Sequence, residues 1–84
     1  MAARLPHTSH NLADWATELS QRLTDEHRRL AGARPDVFLP DLARSLNNLS
    51  NRLGELGRRE DGLAAIEEAV AIRQRLATRR PDVY

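Results

Sequence analysis

The 84-residue chain contains no cysteine, which excludes a disulfide framework, a thiol nucleophile and any Cys-ligated metal. Aromatic residues are nearly as scarce, with one Trp, one Tyr and one Phe beside a single Met. With β-branched residues also few, there is little from which to build a sheet. No apolar run approaches membrane-spanning length, and residues 1–12 have no apolar core of the kind a secretory signal carries. A cytoplasmic location is the default expectation. Neither charge sign is in excess, since 13 basic residues against 12 acidic ones give +1. That balance argues against a dedicated nucleic-acid or membrane-surface protein. No Gly-rich phosphate loop is present, so no cofactor is implied.

What the chain does have is Leu, Ala, Arg and Glu, all good helix formers. At this length it is one small domain at most. An all-α fold of three helices is predicted. Leu12, Trp15, Ala16, Leu19, Leu23 and Leu30 step by helical intervals and mark the apolar face of a first helix over about 11–31. Ser9 or Asn11 can cap it, and Gly32 with Pro35 end it. Glu18–Arg22 and Asp25–Arg29 are i, i+4 pairs contributing only ~0.3 kcal/mol each.

A second helix is expected over 40–56, starting near Pro40. Its stripe is Leu42, Leu46, Leu49, Leu53 and Leu56, and Gly57 is its left-handed cap. Gly54, inside the pattern, is expected to mark a close helix–helix approach. A third helix over 59–79 should turn Leu63, Ile66, Ala69, Val70, Leu76 and the stem of Arg73 inward. The short connection around Gly57-Arg58 makes the last two helices antiparallel neighbours.

One pentapeptide occurs twice. Arg34-Pro35-Asp36-Val37-Phe38 returns 46 positions later as Arg80-Pro81-Asp82-Val83-Tyr84. Recurrence at such a period is a mark of stacked repeats, whose units cannot bury their apolar faces alone. Residues 34–79 then form one complete helix-turn-helix unit, and 80–84 begin another. Residues 1–33 supply a tail and a degenerate capping helix. At the same offset Leu30-Ala31 lies over Leu76-Ala77 and Arg34 over Arg80, while the rest of that alignment is poor. Trp15, Thr17, Glu18 and Gln21 suit a helix covered on one side only.

The run Ser45-Leu46-Asn47-Asn48-Leu49-Ser50, then Leu53, Leu56-Gly57-Arg58 and Leu63-Ala64-Ala65-Ile66-Glu67-Glu68-Ala69, resembles a tetratricopeptide repeat. The likeness is to the long-period subtype of kinesin light chains and of large multi-repeat bacterial signalling proteins. It covers residues 34–84. Gly62 stands where that family usually has Ala, and the terminal Pro is displaced to Pro81. The resemblance implies an α-α superhelix and a non-catalytic protein–protein interaction or scaffold role. It further implies that the second helix lines a groove for a partner segment, with Asn47 and Asn48 bonding its backbone and Arg44, Asn51 and Glu55 on adjoining turns.

Consecutive Asn residues in mid-helix run against propensity. They serve either such a groove or the hydrogen bonds of a neighbouring loop, Asn47 fitting the second reading better and Asn48 the first. The third helix has one side left for a neighbour, so homo-oligomerisation through Leu63, Ile66, Val70 and Leu76 is expected. Other readings are weaker. His7, His10 and Asp14 have a spacing that zinc ligands can take, and Ser9 lies beside them. A cap with solvent-facing neighbours accounts for these residues more simply, so no metal or catalytic site is assigned. Arg28, Arg29, Arg58 and Arg59 could serve a nucleic-acid-binding three-helix module, but nearby acids and helix C-termini account for them. A non-catalytic piece of a larger multidomain signalling protein is the remaining alternative.

Overall fold

The computed structural model describes residues 9–79, with side chains from Asp14 onward. They form three α-helices, α1 Ser9–Ala33, α2 Pro35–Glu55 and α3 Arg59–Arg79. The fold is all-α. Both outer helices pack on α2, and the backbones of α1 and α3 do not approach one another.

The α1–α2 junction is a single residue, Arg34. A following proline disfavours helical geometry, and Arg34 takes an extended φ of −139° with ψ 78°. Its N–H donates to the Leu30 carbonyl at 2.8 Å, completing α1. Its own carbonyl accepts from Val37 at 3.1 Å and Phe38 at 3.0 Å, opening α2. Pro35 is the first helical residue, where its missing N–H costs nothing. The expected start near Pro40 is thus corrected, since Pro40 lies inside α2. It stands one turn from the helix end, and Asp36, whose carbonyl loses a donor, is exposed. Gly32 does not stop α1, which continues through it to Ala33.

The α2–α3 turn meets the expectation. Gly57 has φ +80°, in the left-handed region. The Gly57 N–H donates to the Gly54 carbonyl at 3.0 Å and the Arg58 N–H to the Leu53 carbonyl at 2.9 Å. This pair of bonds is the Schellman closure, and it satisfies carbonyls that the helix end leaves open.

The core joins Ala31 of α1, Leu39, Leu42, Ala43 and Leu46 of α2, and Ala65, Ala69, Ile72 and Leu76 of α3. Phe38 and Ile66 pack against it, half-buried. Small residues carry the α2–α3 contact. A Cβ on Gly62 would lie 3.2 Å from the Ser50 carbonyl oxygen and 3.6 Å from the Leu53 Cβ. The Ser50 hydroxyl donates to the Gly62 carbonyl at 2.8 Å, fastening the same point. Gly54 has open space around it, so the expected close approach belongs to Gly62 instead.

The inward faces of both outer helices differ from expectation. On α3, Leu63, Val70 and Arg73 face solvent, while Gly62, Ala65, Ala69, Ile72 and Leu76 face α2. On α1, Trp15, Leu19 and Leu23 are at least half exposed. Thr17, Thr24 and Ala31 are buried in their place, with Ser20 and His27 half-buried between them. Side chains at Ser9, Asn11 and Leu12 lie outside the described set. The reason on α3 is steric, since helices approach closest over Gly and Ala, and such an approach turns larger residues outward. On α1 the one-residue junction restricts how the helix can turn over α2.

Two measurements check this packing. Leu46, 2% exposed at the centre of the core, should lose about 2–5 kcal/mol on Leu46→Ala in denaturant unfolding. Gly54→Ala should gain about 0.5–1 kcal/mol, because it removes a flexible residue from a helix without a clash. Gly62→Ala should fail to gain this increment, because its Cβ meets backbone.

Candidate interaction surface

Arg44, Asn48, Asn51 and Glu55 follow one another at helical intervals on α2, and all four are exposed. Asn47, one residue off this line, is half-buried. The structure therefore brings four of the five residues expected to line a groove together on one outward stripe. Arg44 pairs with Asp41 at 3.2 Å and Glu55 with Arg52 at 3.1 Å, so the two charged members are held within their own helix. Exposed i, i+3 pairs of this kind are weak and can be exchanged for a partner's groups.

The four residues expected to mediate self-association separate. Leu63 and Val70 stand out at 57% and 46% exposure, and Ile66 is half-buried. Leu76 is in the core against α2. A second apolar stripe lies on α1, where Trp15 and Leu19 line a shallow depression with Glu18 and Arg22. Glu18 and Arg22 pair across it at 3.5 Å.

Sequence reasoning missed how α1 is joined to the other two helices. His27 Nδ1 lies 2.6 Å from the Ser45 hydroxyl of α2. The Thr24 hydroxyl, fully buried, donates to the Ser20 carbonyl at 2.8 Å, so burial leaves it satisfied. The signal was available. Thr17, Ser20, Thr24, His27 and Ala31 alternate steps of three and four, a helical stripe hidden beside a more apolar one. Arg28 reaches across to Glu68 of α3, with N–O distances of 2.5 and 3.3 Å. This pair closes over a cleft between the outer helices whose floor is Leu46, Leu49 and Leu53 of α2. The Glu68 carboxylate raises the Arg28 pKa above its ordinary value.

Three of the four arginines considered for nucleic acid are matched by carboxylates. Arg28 has Glu68, Arg29 has Glu26, and Arg58 has Asp61 at 2.7 Å. The Arg29 guanidinium, by hydrogen bonding, holds the Glu26 carboxyl below its usual range. His7, and the side chains of Ser9 and His10, lie outside the described residues. Asp14 is exposed. Among the described residues no three metal-binding side chains converge, and no helix is long and apolar enough to cross a membrane.

No protein-family model matches this chain, and neither does any curated protein or solved structure.

The exposed Asn48 should tolerate Asn48→Ala with a stability change within about 0.5 kcal/mol, the level of surface substitutions. Unfolding by this substitution would make Asn48 a structural residue. For Arg28 and Glu68, both partly exposed, a double-mutant cycle to Ala should return a coupling of about 0.2–1 kcal/mol, falling as salt is raised.

Proposed function

We propose that this chain is a non-catalytic protein–protein interaction module of the tetratricopeptide type. In this reading it self-associates through its outer helices and takes a partner segment along the Arg44–Asn48–Asn51–Glu55 stripe of α2. The observation that supports it most is the placement of large apolar residues. Trp15, Leu19 and Leu23 on α1, with Leu63 and Val70 on α3, stay largely in solvent, while Thr17, Thr24 and Ala31 of α1 and Gly62, Ala65, Ala69, Ile72 and Leu76 of α3 occupy the helix interfaces. A chain selected only to fold alone gains nothing from that arrangement, whereas docking surfaces need it. The recurring pentapeptide and the helical hairpin of residues 34–79 add the repeat character.

Light scattering over a range of concentrations tests the self-association. The average mass should rise above the 9.5 kDa of one chain. Leu63→Glu with Val70→Glu should lower it without loss of helical circular dichroism. A mass of one chain at every concentration would remove self-association from the proposal. Partner binding along α2 is read separately, as a loss on Asn48→Ala at unchanged stability.

A further inference from the structure

The outward face of α1 is a short apolar stripe with one matched flank. Trp15, Leu19 and Leu23 follow at steps of four, and each is at least half exposed. Arg28, which reaches α3, stands nine residues after Leu19 and so about 180° round the helix. The stripe therefore faces directly away from α3, with the Thr17–Thr24–Ala31 seat on α2 between the two. Glu18 and Arg22 run along one side of it, paired with each other at 3.5 Å and both largely exposed.

These residues are symmetric along the helix. Leu19 is midway between Trp15 and Leu23, and the midpoint of Glu18 and Arg22 is Ser20, one rise of about 1.5 Å away. A single two-fold axis crossing α1 at Leu19–Ser20 thus does two things at once. It lays Trp15 of each copy over Leu23 of the other, with the two Leu19 side chains between them. It also brings Glu18 of each copy to Arg22 of the other, because an antiparallel pair sets a flank against the same flank of its mate. A parallel pair sets opposite flanks together, so neither charge meets its complement. Asp14, five residues before Leu19, is about 140° round the helix and outside the contact. Glu26, near the end of the stripe, is already matched by Arg29. The outward face of α3 lacks this symmetry, since Glu67 and Arg73 fall on opposite sides of its Leu63–Val70 stripe, about 120° apart.

We infer that the Trp15–Leu19–Leu23 face of α1 is a two-fold, antiparallel docking site for the same face of a second copy of this chain. The inference rests on the self-association reading and specifies one of its two surfaces. It leaves the α3 face to a separate contact and the α2 stripe to a partner segment. Pairing of identical patches about a two-fold axis repeats every favourable contact and closes the assembly. A tryptophan in the patch suits this role, because its large rigid surface concentrates binding energy. The shallow depression formed by Trp15, Glu18, Leu19 and Arg22 gives the mate's apolar side chains a seat.

The chain's single tryptophan lies on this face, so its fluorescence reports the contact directly. The background for the test is the Leu63→Glu, Val70→Glu chain, in which the α3 contact is removed. There the mass should rise with concentration to twice the 9.5 kDa of one chain and stop. Trp15 emission should shift to shorter wavelength over the same range. Glu18→Arg and Arg22→Glu should each raise the dissociation constant about tenfold at low salt, with helical circular dichroism unchanged. Their equimolar mixture, and the double reversal in one chain, should both restore it. A two-chain mass with Trp15 emission unchanged puts the contact elsewhere and overturns the inference. Single reversals that leave the constant unchanged overturn the antiparallel pairing. A mass of one chain in this background, while the unmodified chain still associates, overturns the inference and leaves self-association to α3. A mass of one chain in both removes the reading and the inference together.

Discussion

The whole arrangement depends on α2 serving two helices at once. Because α1 and α3 do not pack backbone to backbone, what holds each of them is its seat on α2, supplemented by the Arg28–Glu68 bridge. A helix can do this only with two buried stripes side by side. On α2 the hydroxyls identify them, since Ser45 meets His27 of α1 and Ser50 meets the Gly62 carbonyl of α3. Leu42, Leu46, Leu49 and Leu53 fill the arc between, and all are buried. Apart from Val37 in its first turn, what remains outward on α2 is mainly polar, and the Asn48 and Asn51 stripe lies on that side.

The two interfaces are built from different materials. Against α3 the contact uses Gly62, Ala65 and Ala69, which let the backbones come close and leave α2's leucines to fill the space. Against α1 it is made of Thr17, Thr24 and Ala31, with hydroxyls satisfied locally or by a neighbour. A buried polar group with its hydrogen bond made costs little, whereas one left unmade costs about 1–3 kcal/mol. Among the described residues no buried side-chain polar atom lacks a partner. The α1 interface is therefore sound without being strongly apolar, and the leucines and tryptophan of α1 are released to the surface.

Charge follows the same economy. The arginines at the helix ends are matched mainly within a turn, as in Arg29–Glu26 and Arg58–Asp61, and so build no extended positive field. Arg28 is different because its carboxylate comes from another helix, across the cleft floored by Leu46, Leu49 and Leu53. The surface is thus mainly polar along α2, with most of its charges paired within the helix, and apolar stripes run along both flanking helices.

Much of this was legible in the residues themselves. Composition determined an all-α chain, the leucine spacing located three helices, and Gly57 marked its left-handed cap, because these depend on local backbone preference. The limits of α3 and the sharp turn before it follow from the same local chemistry. The start of α2 at Pro35 was less legible, since two prolines competed and only the hydrogen bonds of Arg34 decide between them. Which face of each outer helix turns inward was decided by tertiary structure alone. Periodicity reports that a helix has an apolar stripe, but α1 and α3 each have two candidate stripes, and the choice depends on how closely a neighbour can approach. Gly62 and the alanines of α3 admit α2 nearest, and the single-residue turn at Arg34 constrains how α1 meets it. Leu19, Leu23, Leu63 and Val70 are left outside for a reason no helical wheel contains: close packing rewards small residues at the contact and leaves large ones to whatever comes next.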